Sequence, residues 1–226
     1  MKKIIKYIKE KPQCLLLLYW LFHSVWYEIL QQTTMDRNPI PIVCEWDKYI
    51  PFWEFMVIPY GMWFIQIAGM MGYTLIKQPK KLFRIIAMVG GGGIICMTIC
   101  SVIPMYFDRS TLDMTYDNYI FGDIVALIHK YDEPTTVLPS MHVFVTVSLH
   151  ICLCKDESLS KHKWLKICSL VLCISITAAT ALIKQHSLLD IASALALVPV
   201  MYCVAYLPKY KFLGDFIEQE KDTALV

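Results

Sequence analysis

The chain has 226 residues, of which 57% are hydrophobic and only 18% charged, and its mean hydropathy is positive. That balance excludes an ordinary soluble domain and predicts an all-α, polytopic membrane protein. The net charge of +2 arises from nearly equal numbers of acids and bases, which argues against nucleic acid as a partner and leaves the bilayer as the expected surroundings. Apolar runs of about 20 residues, the length a helix needs to cross the hydrocarbon core, predict six spans in a single membrane domain over 1–226. They cover 13–30, 51–76, 82–104, 137–154, 164–183 and 187–207. The first follows the basic stretch MKKIIKYIKEKPQ; with a long apolar run and no small-residue cleavage site after it, it reads as an uncleaved span.

Sixteen of the 21 basic residues fall in the amino-terminal tail, the 77–84 and 155–166 links and the carboxy-terminal tail. By the positive-inside bias, those four segments and both termini face the cytoplasm. The loops at 31–50 and 105–136 and the turn near Lys184 then face outward. The nine cysteines sit mostly inside spans and suggest no disulfide framework. The tetraglycine at 90–93 lacks a following Lys-Ser or Lys-Thr and reads as close helix packing, not as a phosphate loop. In the outward link, Ile120, Phe121, Ile124, Leu127 and Ile128 recur at helical spacing, with Asp117 as the expected cap. That helix reads equally as a connector or as a lid lying in the interface. His23, Glu28 and Glu54 read as capping or interhelical groups, His150 as a packing histidine, and the tryptophans as interfacial belts.

Polar residues beside spans gather on the outward side. His142 stands at the mouth of the fourth span in VLPSMHVF, and Lys184, His186 and Asp190 lie where the fifth span turns into the sixth. An ionisable residue at such a place is a functional-site hypothesis by default. His186 and Asp190 are four apart, so on a helix the carboxylate can hold one imidazole nitrogen and leave the other free to act. Pro139 and Ser140 read as a helix opening, whose unpaired amides and dipole favour an anion. Arg109 and Lys184 add positive charge, each reading about equally as interfacial anchor or phosphate ligand. Together these groups describe a site for phosphoryl transfer through a phosphohistidine.

The segments YDEPTTVLPSMHV and TAATALIKQHSLLD resemble the type 2 phosphatidic acid phosphatase superfamily, in particular a bacterial branch akin to inositol phosphorylceramide synthases. The family pattern is Lys-x6-Arg-Pro, Pro-Ser-Gly-His and Ser-Arg-x5-His-x3-Asp. Pro139, Ser140, Met141 and His142 match the second motif with Met in place of Gly, and His186 and Asp190 match the end of the third. Ala179 and Thr180 stand where the third motif has Ser-Arg, and Arg109 is followed by Ser110, with no obvious lysine upstream to match the first motif. The resemblance spans the six-helix core, with its specific part within 104–190. It implies a haloperoxidase-like helical core in which His186 attacks phosphorus, Asp190 orients it and His142 protonates the leaving oxygen. Arg109, Ser140 and Lys184 would hold phosphate oxygens.

The expected activity is hydrolysis of a lipid phosphate or diphosphate ester without cofactor or metal, on the extracytoplasmic face of a bacterial plasma membrane. If a second alcohol replaces water, the same site makes a lipid phosphotransferase. A metal-dependent hydrolase using His142, His186 and Asp190 as ligands and a non-catalytic lipid-binding relative are the rival readings.

Overall fold

The structure, a computed structural model, describes Leu15 and residues 18–207. Its helices are α1 (Leu18–Thr33), α2 (Val57–Lys77), α3 (Pro79–Val102), α4 (Phe121–Tyr131), α5 (Met141–Lys155), α6 (Lys163–Leu182) and α7 (Leu188–Tyr206). The only strands among the described residues are β1 (Ile40–Ile42) and β2 (Met105–Phe107), which pair in parallel. The protein is an all-α, multi-span membrane protein. Phe64, Ile65, Val171, Ile174 and Val200 on α2, α6 and α7 all stand more than half exposed, a surface that a hydrocarbon solvent tolerates and water does not.

Among the described residues, four helical stretches, not six, are long and apolar enough to cross a membrane: Glu54–Lys77, Pro79–Val102, Lys163–Leu182 and Leu188–Tyr206. The expected fourth span shortens to the 15 residues of α5, about 22 Å of helix against a core of roughly 30 Å. It starts late because Pro139 has no N–H and Ser140 takes the extended cap conformation, with its Oγ accepting from the Val143 amide at 3.4 Å. The expected first span is described only from α1 onward, apart from Leu15, and part of it lies outside the described residues.

The core lies where α5 packs against α6, α7, α2 and α3. Phe144 and Val143 are fully buried at its centre. Helix α3 contains a π turn, Ile86–Gly90, which ends on the first of the four glycines. A Cβ on Gly92 would lie 1.9 Å from the Phe144 ring. The tetraglycine is thus a packing surface, letting the Phe144 ring of α5 lie against the backbone of α3.

Outside the bundle, the β1–β2 pair and a bridge between Tyr106 and Thr135 tie three remote loop segments together. This places Arg109 and the 132–136 segment beside the ends of α1 and α2. In α4 the cap is Asn118, not Asp117: its Oδ1 accepts the Ile120 and Phe121 amides at 2.9 Å. The Glu54 carboxylate accepts the Asn118 amide at 3.0 Å in turn. The apolar stripe of α4 divides. Phe121, Val125 and Ile128 pack with Val57, Tyr60, Ala179 and Ile183, while Ile120 and Leu127 remain half exposed.

Candidate active site

The α6–α7 turn is built to hold one histidine. After Leu182 the chain turns through Lys184, whose φ of 56° is a left-handed conformation that a long side chain seldom adopts. Ser187 then caps α7, and the Asp190 carboxylate returns to the Ser187 amide at 2.9 Å, completing a capping box. The same Asp190 oxygen lies 3.4 Å from His186 Nδ1. An Nδ1–H donated to that carboxylate leaves the Nε2 lone pair free, and Nε2 faces His142 Nδ1 at 3.3 Å. Asp190 is fully buried. The Ser140 amide donates to the Asp190 carbonyl at 3.2 Å, joining the starts of α5 and α7. His142, in the first turn of α5, lies against the rings of Tyr60 and Trp63 at 4.6 and 4.5 Å between centroids.

Both histidines open on a cavity of about 810 Å³ walled by α1, α2, α4 and the 132–137 segment. In its wall the Asp132 carboxylate accepts from the hydroxyls of Tyr27 and Tyr60 and from Gln185 Nε2, the last two at 3.1 and 2.8 Å. Thr135 and Thr136 line the same wall, and their hydroxyls are buried without a partner. Thr136 is also held at a φ of 56°, and such strain in a β-branched residue is found where the surroundings enforce it, often at a site.

The sequence-predicted residues divide on this geometry. His142, His186 and Asp190 form one contiguous chain. Arg109 lies near Asp132, Tyr60 and Tyr27, close enough for their charges to act on it, and its Nε and Nη2 are buried with no hydrogen-bond partner. Burial pushes its guanidinium down to about 10, opposed by Asp132, so it remains a cation at neutral pH. Lys184 Nζ donates to the carbonyls of Asp47 at 2.9 Å and Ile50 at 2.5 Å, and the residue is 2% exposed. A flexible ammonium buried beside two free carbonyls satisfies them in preference to a distant anion. Ser140 likewise caps α5 and does not line the cavity.

Sequence reasoning missed Asp47, Asp132, Gln185 and His129. Asp47 is buried and accepts from Ser187 Oγ at 2.6 Å and the Leu188 amide at 2.9 Å. It binds the first outward loop to the start of α7. His129 Nδ1 accepts from the Tyr116 hydroxyl at 2.8 Å, and Nε2 lies 2.7 Å from the Ile183 carbonyl oxygen. Burial, then the Arg109 charge, push it down to about 4, so the neutral ring donates Nε2–H to the carbonyl. The adjacency of Gln185 and Asp132 to motif residues was the one signal available; Asp47 and His129 carried none.

No group of three or more His, Cys, Asp or Glu among the described residues is placed to hold a metal ion. Comparison of the chain with family models, curated proteins and solved structures finds no match.

Proposed function

We propose that the protein is a membrane-embedded lipid phosphate phosphatase working through a phosphohistidine on His186. The observation that carries the reading is the chain Asp190–His186–His142 opening on a cavity, with the unpaired Arg109 guanidinium near Asp132, which lines that cavity. In this reading Nε2 of His186 attacks phosphorus, the bond from phosphorus to the lipid oxygen breaks, and protonated His142 gives its proton to that oxygen. Asp190 stabilises the charge that develops on the His186 ring. Water then attacks phosphorus and gives its proton to His142, the phosphorus–Nε2 bond breaks, and inorganic phosphate leaves. Arg109, with Thr135 and Thr136, supplies the donors for the non-reacting oxygens. Phosphorus must occupy the space next to Nε2 where His142 Nδ1 lies, so His142 has to swing away from His186 as substrate enters.

The type 2 phosphatidic acid phosphatase resemblance and the six-span topology belong to the same proposal, with α1 and α5 as the two shorter crossings. Both termini are then cytoplasmic, and the site faces outward from what we take to be a bacterial plasma membrane. The half-exposed Ile120 and Leu127 of α4 dip into that interface. The alternative of a non-catalytic lipid-binding relative draws on Thr180, whose hydroxyl is turned to the Thr177 carbonyl where the family has arginine, and on the diverted Lys184. Phosphate release from phosphatidic acid and from a polyprenyl diphosphate by purified protein, with chelator present, separates the two. Release that is lost in His186→Ala supports the phosphatase; no release with either lipid, while both bind, supports the non-catalytic relative. Release that depends on a supplied alcohol identifies the phosphotransferase.

A further inference from the structure

At the end of α5 remote from His142, another imidazole has polar partners that packing alone does not require. His150 lies one turn before Cys154 on α5, and its Nε2 is 3.6 Å from Cys154 Sγ. Its Nδ1 is 2.9 Å from Ser169 Oγ on α6. The expected packing histidine is therefore the middle member of a thiol, imidazole and hydroxyl chain. Along the helix His150 stands about 12 Å from His142 and Cys154 about 18 Å, so this chain is separate from the phosphate site. Ser169 is buried, whereas His150 and Cys154 are half-buried.

A neutral imidazole has one N–H and one lone pair, and a hydroxyl oxygen is a better acceptor than a thiol sulfur. Nδ1–H therefore goes to Ser169, and the Nε2 lone pair faces the Cys154 S–H. That is the arrangement of nucleophile, base and orienter in which an imidazole raises the thiolate fraction of a cysteine. Two other cysteines are placed differently: Cys100 Sγ donates to the Leu138 carbonyl at 3.3 Å, and Cys152 Sγ accepts from the Tyr206 hydroxyl at 3.4 Å.

Position selects the electrophile. Cys154 is followed by the exposed Lys155, and Lys161, Lys163 and Trp164 stand exposed where α6 starts, as at a membrane interface. Ile167, Leu170 and Val171, on either side of Ser169 in α6, are exposed apolar residues. A reagent suited to this place has an anionic head for the lysines and a hydrocarbon chain for the bilayer. A long-chain acyl thioester of a phosphate-bearing carrier is such a molecule. In the topology proposed above this face is cytoplasmic, where a reducing medium disfavours disulfides.

We propose that Cys154 is a self-acylating nucleophile that takes the acyl group of such a thioester, with His150 as its base and Ser169 holding that base. Cys154 gives its S–H proton to His150 Nε2, and the sulfur attacks the thioester carbonyl carbon. The bond from that carbon to the carrier sulfur breaks, and the carrier thiolate takes the proton from His150. One thioester replaces another with no change of oxidation state. The product is an acyl chain fixed to the end of α5, the short 15-residue helix, where it adds a membrane anchor.

Reduced wild-type protein in detergent is incubated with an alkyne-tagged palmitoyl coenzyme A thioester. Label at each cysteine is followed by mass spectrometry, before and after hydroxylamine, which cleaves thioesters. The expected result is a hydroxylamine-sensitive acyl group on Cys154, formed about tenfold faster than on the exposed Cys168 and Cys203. His150→Gln slows Cys154 to the rate of those two. Ser169→Ala slows it part of the way, while Ser169→Thr, which keeps a hydroxyl, retains the wild-type rate. Acylation of Cys154 no faster than that of Cys168, or an undiminished rate in His150→Gln, overturns the proposal. Rapid alkylation of Cys154 by iodoacetamide without acyl transfer overturns the acyl class. The comparison among cysteines of the wild-type protein needs no variant to fold, and none of these outcomes depends on phosphate release.

Discussion

Arg109 and Lys184 are the two cations that stand next to the candidate site, and the structure treats them in opposite ways. Lys184 is saturated: its ammonium joins two backbone carbonyls of the 45–50 loop, and Asp47 of that loop returns to Ser187 and Leu188. Arg109 is open, with two nitrogens buried and unpaired. The turn that carries His186 is tied down through Lys184, Ser187 and Asp190 Oδ2, although Gln185 Oε1 and Asp190 Oδ1 stay buried and unpaired, whereas at Arg109, Thr135 and Thr136 it is donors that have no partner. Satisfied groups position; unsatisfied buried groups are where a ligand completes the structure.

That contrast can be broken by mutation. The largest effect is expected at the reacting atom: His186→Ala lowers phosphate release by a thousandfold or more, as loss of a nucleophile does, with little change in thermal unfolding. Arg109→Ala follows, lowering kcat/KM by about a hundredfold for want of charge-assisted donors, and Arg109→Lys recovers only part because an ammonium lacks the planar fork. Lys184→Met should do the reverse. It leaves two buried carbonyls unpaired and costs about 2 kcal/mol of stability, read as a lowered unfolding temperature, while salt or phosphate protects the protein as well as in wild type. A variant at Lys184 that keeps its stability but loses phosphate affinity reverses the assignment of the two cations.

The smallest effect concerns pH. His129 is held at about 4, below its ordinary 6.5, so the folded state binds fewer protons than the unfolded one between those values. Its contribution to stability is complete above pH 6.5 and is lost progressively as pH falls toward 4. Hydrogen exchange in α4 should rise over that window, and His129→Gln, which keeps a donor to the Ile183 carbonyl, should flatten the response. An α4 whose exchange is indifferent to pH in wild type removes His129 from the tie between α4 and the His186 turn.

Local signals were readable where the chain itself supplies both partners. His186 and Asp190 are four apart, and the Pro139–Ser140 opening of α5 follows from a missing N–H and a short polar side chain. The tetraglycine read as packing, and Gly92 indeed meets Phe144. Two kinds of error have physical causes. Hydropathy counts apolar residues without registering that Pro139 and the Ser140 cap delay α5, so a span of the expected length became 15 residues. Long-range hydrogen bonds leave no periodic trace: Asp47 meets Ser187 across 140 positions, and the carbonyls of that loop take the Lys184 ammonium. Asp117 lost the α4 cap to its neighbour Asn118 because either side chain can serve and the backbone path decides.

The central claim is that His186 carries the phosphoryl group, and the most direct measurement is to look for it there. Protein mixed with phosphatidic acid, quenched in base and digested, is examined by mass spectrometry for an acid-labile phosphoryl group. The account predicts that group on the peptide containing His186, more abundant in His142→Ala if loss of the base slows hydrolysis more than loss of the acid slows transfer, and absent from His186→Asn. Turnover in His186→Asn, or a phosphoryl group on any other residue of an active protein, would contradict it.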